Sequence, residues 1–168
     1  MNNWNSLKPE SKLWIYGANR EITKLDLEEI NRTLDNFCET WGSHGSKLNC
    51  GYNVLYNRFI CIAVDEESAA ASGCSIDKSV GIVKQIDEKY NLDLFNRLRS
   101  YLVEDSGTTT ITPISADHVT DAFVNELINE DSRMVNMQAA TLQDLMPDFT
   151  IPLKKTWLKK YLNREASS

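Results

Sequence analysis

The sequence contains few of the residues that mark fibrous, disulfide-stapled or membrane-spanning chains. Its 168 residues include only 7 glycines, 4 prolines and 4 cysteines. These counts exclude a collagen-like rod and a disulfide-dense miniprotein. No stretch approaches the roughly 18 consecutive apolar residues that span a bilayer. The first eleven residues lack a basic stretch followed by an apolar run, so we expect no signal peptide.

The chain also lacks an excess of positive charge. Lys and Arg together number 18 against 24 Asp and Glu, which gives a formal net charge of −6. A duplex-binding protein needs a positive field, and this balance argues against one. The segment from Arg58 to Val64 lacks the glycine and paired aromatics of a sheet that stacks RNA bases. We therefore expect no nucleic-acid partner.

The four cysteines are spaced 12, 11 and 13 residues apart, and no Cys-x-x-Cys occurs. Zinc sites commonly take two ligands from one tight turn, because a short knuckle fixes both donors at low entropic cost. With only 2 histidines besides, the sequence predicts no metal site and no cofactor. Without an export signal the thiols are expected to be reduced, which predicts a cytoplasmic location.

What the chain does contain is typical of a globular domain: 42% hydrophobic and 25% charged residues. Thr23 is a suitable helix N-cap, and the apolar residues Ile30, Leu34, Phe37 and Trp41 then recur at helical spacing. The remaining patterns predict strands at 12–16, 47–56 and 59–65, a helix at 75–90, strands at 98–103 and 108–114, a helix opening at Ser115, and helical segments at 141–146 and 153–162.

The order through residue 103 is strand, helix, strand, strand, helix, strand. This order is that of the ferredoxin-like βαββαβ sheet, and the handedness of crossovers would place both helices on one face. We therefore predict a single α+β domain over 1–168, with a core at 12–114 and a helical C-terminal extension at 115–168. The fold hosts many activities and does not itself predict a function.

Four finer expectations accompany this fold. Gly81 inside the second helix suggests close packing of helix on sheet. Leu127 is expected on the core face of the third helix, and residues 129–136 are expected to form a mobile polar link. The stretch 153–162 is cationic and amphipathic. Its apolar face could pack on the protein core or lie on a membrane surface, and we favour packing on the core. We therefore expect no membrane partner.

The most unusual segment lies where a loop meets the second predicted helix. Ser72, Gly73, Ser75 and Asp77 surround Cys74 there. Free amides and the macrodipole at a helix start favour negative charge, so this segment is predicted to bind a small anion and to bias the thiol towards thiolate. His44, in a glycine-flanked loop, is the candidate base for a Cys74 nucleophile.

Each of these residues also fits a structural role. A free cysteine is more often a small apolar filler than a nucleophile, and a serine at a helix start is more often a cap. A loop histidine is commonly only solvated. Both interpretations of Cys74 and His44 remain open at this point.

The segments Trp41-Gly42-Ser43-His44-Gly45 and Ala71-Ser72-Gly73-Cys74-Ser75-Ile76-Asp77 resemble a family of small uncharacterised bacterial proteins, some of which carry an automatic "ABC transporter ATPase" label. The resemblance covers most of the chain but implies no established activity or site. The label also conflicts with the residues. Aligning Lys78-Ser79 with the end of a phosphate-binding P-loop puts Ser72 and Asp77 at its two glycine positions, where a carboxylate repels phosphate.

The sequence therefore leaves two candidate functions. The first is an anion-binding pocket around 72–77 with His44 as its neighbour, of which a thiol-dependent enzyme is one version. The second is a non-catalytic interaction or regulatory domain that forms a homodimer through an open sheet face, since ferredoxin-like sheets often leave one face to be covered. Sequence alone does not decide whether the protein is an enzyme.

Overall fold

The computed structural model describes residues 2–162, which divide into two compact units. The first unit comprises residues up to Phe95 together with Ala139–Asp144, and the second comprises Asn96–Gln138 and the residues from Leu145 onward. The α+β core expected over 12–114 is thus shared between two units, while the single domain stays a prediction. No helix within residues 2–162 is long and apolar enough to cross a membrane.

The first unit is built on a three-stranded antiparallel sheet with two long helices. Thr23 caps the first helix as expected, its hydroxyl accepting from the Asp26 amide at 3.2 Å. The elements, in chain order, are β1 (Lys12–Gly17), α1 (Lys24–Thr40), β2 (Gly42–Ser43), β3 (Ser46–Lys47), β4 (Asn49–Leu55), β5 (Phe59–Asp65) and α2 (Gly73–Tyr90), with a 3-10 turn at Trp4–Ser6.

The sheet has the order β1-β5-β4, with β5 at its centre. Ile62 of β5 lies opposite Trp14 on one side and Tyr52 on the other. Alternate residues of β5 face opposite sides of the sheet, and Phe59 through Val64 are all buried. One face of β5 shares its core with α1 and α2 through Ile60, Ile62, Val64, Ile30, Leu34, Val83 and Ile86.

The ferredoxin-like arrangement is not confirmed. In a split βαβ unit the neighbouring strands β1 and β5 run parallel, whereas here they are antiparallel. The strand expected as the fourth of this sheet instead pairs within a second sheet. Over residues 2–162 the structure is a mixed α+β fold with two main antiparallel sheets, a small hairpin and three α-helices.

The second unit carries a four-stranded antiparallel sheet of order β7-β6-β8-β9. Its elements are β6 (Ser100–Asp105), β7 (Thr109–Ile114), α3 (Ala116–Val124), β8 (Arg133–Val135), β9 (Thr150–Pro152) and 3-10 turns at Leu153–Lys155 and Trp157–Tyr161. A further 3-10 turn at Leu142–Leu145, within the predicted helical segment, belongs to the first unit up to Asp144. The apolar residues of the C-terminal segment close a core, with Leu153, Leu158 and Leu162 buried beside Met134.

Four expectations are corrected here. The segment 129–136 is not a polar link, since it contains β8, and Met134 is 1% exposed. Leu127 lies beyond the end of α3 and is 74% exposed, because the helix ends at Val124. A Cβ built on Gly81 would meet nothing within 4 Å, so this glycine is not required by close packing. The predicted extension also contains β8 and β9, and its residues 163–168 lie outside the described part.

Candidate functional site

A buried tryptophan links the end of α1 to the start of α2 through a hydrogen bond. Trp41 follows α1 directly and is 2% exposed, and its indole Nε1 donates to the Ser75 carbonyl at 2.8 Å. Phe37 packs against the same indole, with ring centroids 5.0 Å apart. A buried indole N–H requires an acceptor, and this bond supplies it. It thereby brings the first turn of α2 beside the segment that follows α1.

That segment is a tight hairpin. Gly42 pairs with Lys47 and Ser43 with Ser46, which leaves His44 and Gly45 as a two-residue turn. Both turn residues have positive φ, 49° and 80°, as a type I′ hairpin requires. Glycine adopts this conformation freely, whereas histidine is held there by the pairing of the two flanking strands. The His44 side chain consequently stands exposed at the tip.

The hairpin forms one wall of an open cleft of about 410 Å³. Two lysines and a histidine line it together with one carboxylate, so basic groups predominate. Its lining residues are Glu39, Thr40, Gly42, His44, Gly45, Ser46, Lys47 and Lys78. The cleft therefore joins His44, singled out by the sequence, to Lys78 on α2.

Lys47 is the cleft residue that sequence reasoning missed. Residues 47–56 were expected to form one strand, whereas β3 ends at Lys47 and a separate strand begins at Asn49. The His44-Gly45 pair was the available signal, because a glycine-containing dipeptide between short strands favours a type I′ turn. Such a turn sets Gly42 opposite Lys47, and both this lysine and His44 line the cleft.

The serines predicted as anion ligands are occupied in capping α2. Ser72, not Ser75, is the N-cap, and its hydroxyl accepts from the Ser75 amide at 3.2 Å. The Ser75 hydroxyl lies 2.9 Å from the Ser72 hydroxyl and donates to the Ser72 carbonyl at 3.0 Å. Ser75 is 1% exposed, so its side chain belongs to the interior. Part of the predicted anion-binding capacity of this helix start is thus used within the protein.

Cys74 differs from the other three cysteines. It is exposed, whereas Cys38, Cys50 and Cys61 are all buried. It stands four residues before Lys78 on α2, so the two side chains lie on the same helix face one turn apart. Cys74 itself is not among the residues that line the cleft, and neither is Asp77. The pairing of Cys74 with His44 therefore stays a prediction.

The second unit contains a serine–histidine contact. The Ser115 hydroxyl lies 2.8 Å from His118 Nδ1, and both residues line an open cleft of about 310 Å³. Ser115 is the N-cap of α3, but its side chain makes no capping bond to a first-turn amide. A serine at the cap position and a polar residue three positions later commonly meet in this way, so the contact is explained by local helix geometry.

Within residues 2–162 no group of three or more His, Cys, Asp or Glu side chains is placed to hold a metal ion. The comparisons give no relative from which a role can be transferred. No protein-family model, curated protein or solved structure matches the chain.

Proposed function

We propose that the protein is a binding module for a small anion, which it holds in the hairpin cleft. The convergence of His44, Lys47 and Lys78 on one cleft carries this proposal. Phosphate and carboxylate groups are the natural partners of lysine, whose ammonium offers three donors. Glu39, in the last turn of α1, also lines the cleft, and its carboxylate disfavours an anion that fills the whole cleft. The ligand is therefore expected to place its charged group at the hairpin side.

The cleft is also of suitable size but is wide open. A volume of about 410 Å³ lies within the range of small-molecule sites. The lysines are exposed, and exposed ion pairs contribute up to about 1 kcal/mol each. A few such contacts predict dissociation constants on the order of millimolar for a simple phosphate. A larger ligand that also contacts the hairpin would bind more tightly.

The thiol of Cys74 extends this proposal towards chemistry. It is the exposed thiol on the helix face that carries Lys78. A bound anion one helical turn away would bring an electrophilic group within reach of that sulfur. A thiol-dependent reaction on the bound ligand is thus the enzymatic version of the proposal, with His44 as base.

Binding is tested by titrating inorganic pyrophosphate into ¹⁵N-labelled protein. We expect the amides of Gly45, Lys47 and Lys78 to shift together along one saturation curve. Replacing Lys47 or Lys78 with alanine should weaken binding several-fold, since each removes one charge contact. Lys84→Ala is the matched control, because Lys84 is exposed on the same helix outside the cleft. Equal weakening in all three variants would show non-specific charge attraction and overturn the proposal.

The enzymatic version has its own test, which is the rate of Cys74 alkylation as a function of pH. Because the other cysteines are buried, native-state alkylation reports on Cys74 alone. An inflection well below the unperturbed thiol pKa of about 8.5 that moves in His44→Ala would support an activated pair. A rate that follows a model thiol at every pH removes the nucleophile and leaves the binding module intact.

The homodimer is the second candidate, and the central strand gives it little support. Phe59 through Val64 are buried on both faces of β5, so an open face along that strand is not available for a partner. Sedimentation over a wide range of protein concentration tests it. A concentration-dependent dimer whose formation ignores pyrophosphate would favour the dimer over the anion site.

The proposed compartment is the cytoplasm. All four cysteines are free thiols, and free thiols persist where glutathione and thioredoxin keep them reduced. Fractionation of cells that produce the tagged protein tests this location.

A further inference from the structure

Two of the buried cysteines lie against each other in the core of the first unit. Cys38 belongs to the last turn of α1, and Cys50 is the second residue of β4. They are 0% and 1% exposed. The Cys50 thiol donates to the Cys38 carbonyl oxygen, with sulfur and oxygen 3.6 Å apart. Carbonyls in a last helical turn lack partners within the helix, so this thiol satisfies one of them.

The two thiols also affect each other's pKa. The hydrogen bond between the thiols is the largest influence on both, raising the pKa of Cys38 and lowering the pKa of Cys50. The Cys50 sulfur is therefore the better nucleophile of the two, since the thiolate is the reactive form. Cys61 provides the contrast, because burial alone raises its pKa.

We propose that Cys38 and Cys50 form a dithiol that hydrogen peroxide oxidises to an intramolecular disulfide linking α1 to β4. The Cys50 sulfur attacks one peroxide oxygen, so that an S–O bond forms, the O–O bond breaks and water leaves with the thiol proton. The Cys38 sulfur then attacks the sulfenic sulfur, so that the S–S bond forms and a second water leaves. Two thiols are oxidised and one peroxide is reduced to two waters.

The disulfide would close the loop formed by residues 39–49. That loop contains the whole β2–β3 hairpin and every lining residue of the cleft except Lys78. Oxidation would therefore link the two chain segments that flank the hairpin by a covalent bond between residues 38 and 50. This modification does not depend on anion binding and stands if the cleft binds nothing.

The test uses the full chain with Cys74→Ser, which removes the exposed thiol and leaves three buried ones. The protein is treated with hydrogen peroxide, quenched, denatured without reductant and alkylated, and its intact mass and linked peptides are measured. We expect a species that has lost the mass of two hydrogen atoms, keeps one alkylatable thiol at Cys61 and contains a Cys38–Cys50 peptide pair.

Three further variants in the same background separate the dithiol from general oxidation. Cys61→Ser should still form the disulfide, whereas Cys50→Ser and Cys38→Ala should not. The serine hydroxyl can still donate to the Cys38 carbonyl, and Cys38→Ala keeps that carbonyl, so both variants retain the local contact. Three intact thiols after treatment, a disulfide that includes Cys61, or added oxygen without loss of hydrogen would each overturn the proposal.

Discussion

The centre of the first sheet and the hairpin cleft are parts of the same unit, yet they differ in burial and in polarity. Along β5 six consecutive residues are buried, and both helices share the core with one of its faces. At the cleft the lining is polar and mostly exposed, and two lysines and a histidine gather there with one glutamate without being buried. The comparison separates stability from recognition. Changes at β5 should alter folding and leave ligand affinity alone, whereas changes at the cleft should do the reverse.

The most severe effect is expected at the sheet centre. Ile62 is 0% exposed and belongs to the core shared with α1 and α2. Ile62→Ala should lower the free energy of unfolding by about 2–5 kcal/mol, because it removes buried methyl groups and leaves a cavity. Urea denaturation measures the change. Leu25→Ala is the control, since Leu25 is 76% exposed, and it should stay within about 0.5 kcal/mol of wild type. Comparable losses of unfolding free energy in the two variants would contradict the conclusion that the buried strand β5 determines stability.

Trp41 joins the two regions, and Trp41→Phe should give the next largest effect. The change removes the indole N–H and its hydrogen bond to the Ser75 carbonyl, at a cost of about 0.5–1.5 kcal/mol for the bond, and the smaller ring also leaves a cavity in the core. Thermal unfolding monitored by circular dichroism measures it. Trp14→Phe removes the same ring area from a half-buried indole that contacts Trp41 edge-on. If that variant is equally destabilised, packing rather than the Trp41–Ser75 bond holds the start of α2.

The same contrast explains how far the sequence could predict the structure. The bounds of β5 and the cap of α1 followed from local signals, namely β-branched residues and a threonine before a helical stripe. The strand direction did not, because the pairing of β1 with β5 joins residues far apart in the chain. The strand β8 is only three residues long, too short for alternation to stand out.

The candidate site divides in a similar way. His44 was a candidate site residue in the sequence, and it lines the cleft together with Lys78. Ser72 and Ser75 both fit a helix cap by residue type; in the structure Ser72 is the cap, and the Ser75 carbonyl accepts from the Trp41 indole. The contact of Cys38 with Cys50 could not be predicted from the sequence either, since a spacing of 12 residues does not specify how a helix packs on a strand.

Gly81→Ala should have a smaller effect of the opposite sign. Gly81 lies inside α2, and a Cβ there would meet nothing within 4 Å. Alanine should stabilise the protein by about 1 kcal/mol, because it restricts the unfolded chain and favours the helix. Gly51→Ala is the matched contrast, since its Cβ would lie 2.6 Å from the Trp4 Cα. Urea unfolding that shows a loss for Gly81→Ala would mean that α2 packs more closely than its geometry indicates.

The smallest effect on stability is expected at the cleft itself, and it is the most informative. Lys78→Ala removes an exposed side chain from α2, so its free energy of unfolding should stay within about 0.5 kcal/mol of wild type. Its affinity for pyrophosphate should nonetheless fall several-fold, and the difference should shrink as salt is added, since exposed charges are screened. Lys84→Ala should change neither quantity. Because folding is unaffected, an affinity loss in Lys78→Ala alone comes from the charge that the cleft presents, whereas unchanged affinity means that this lysine faces the cleft without binding an anion there.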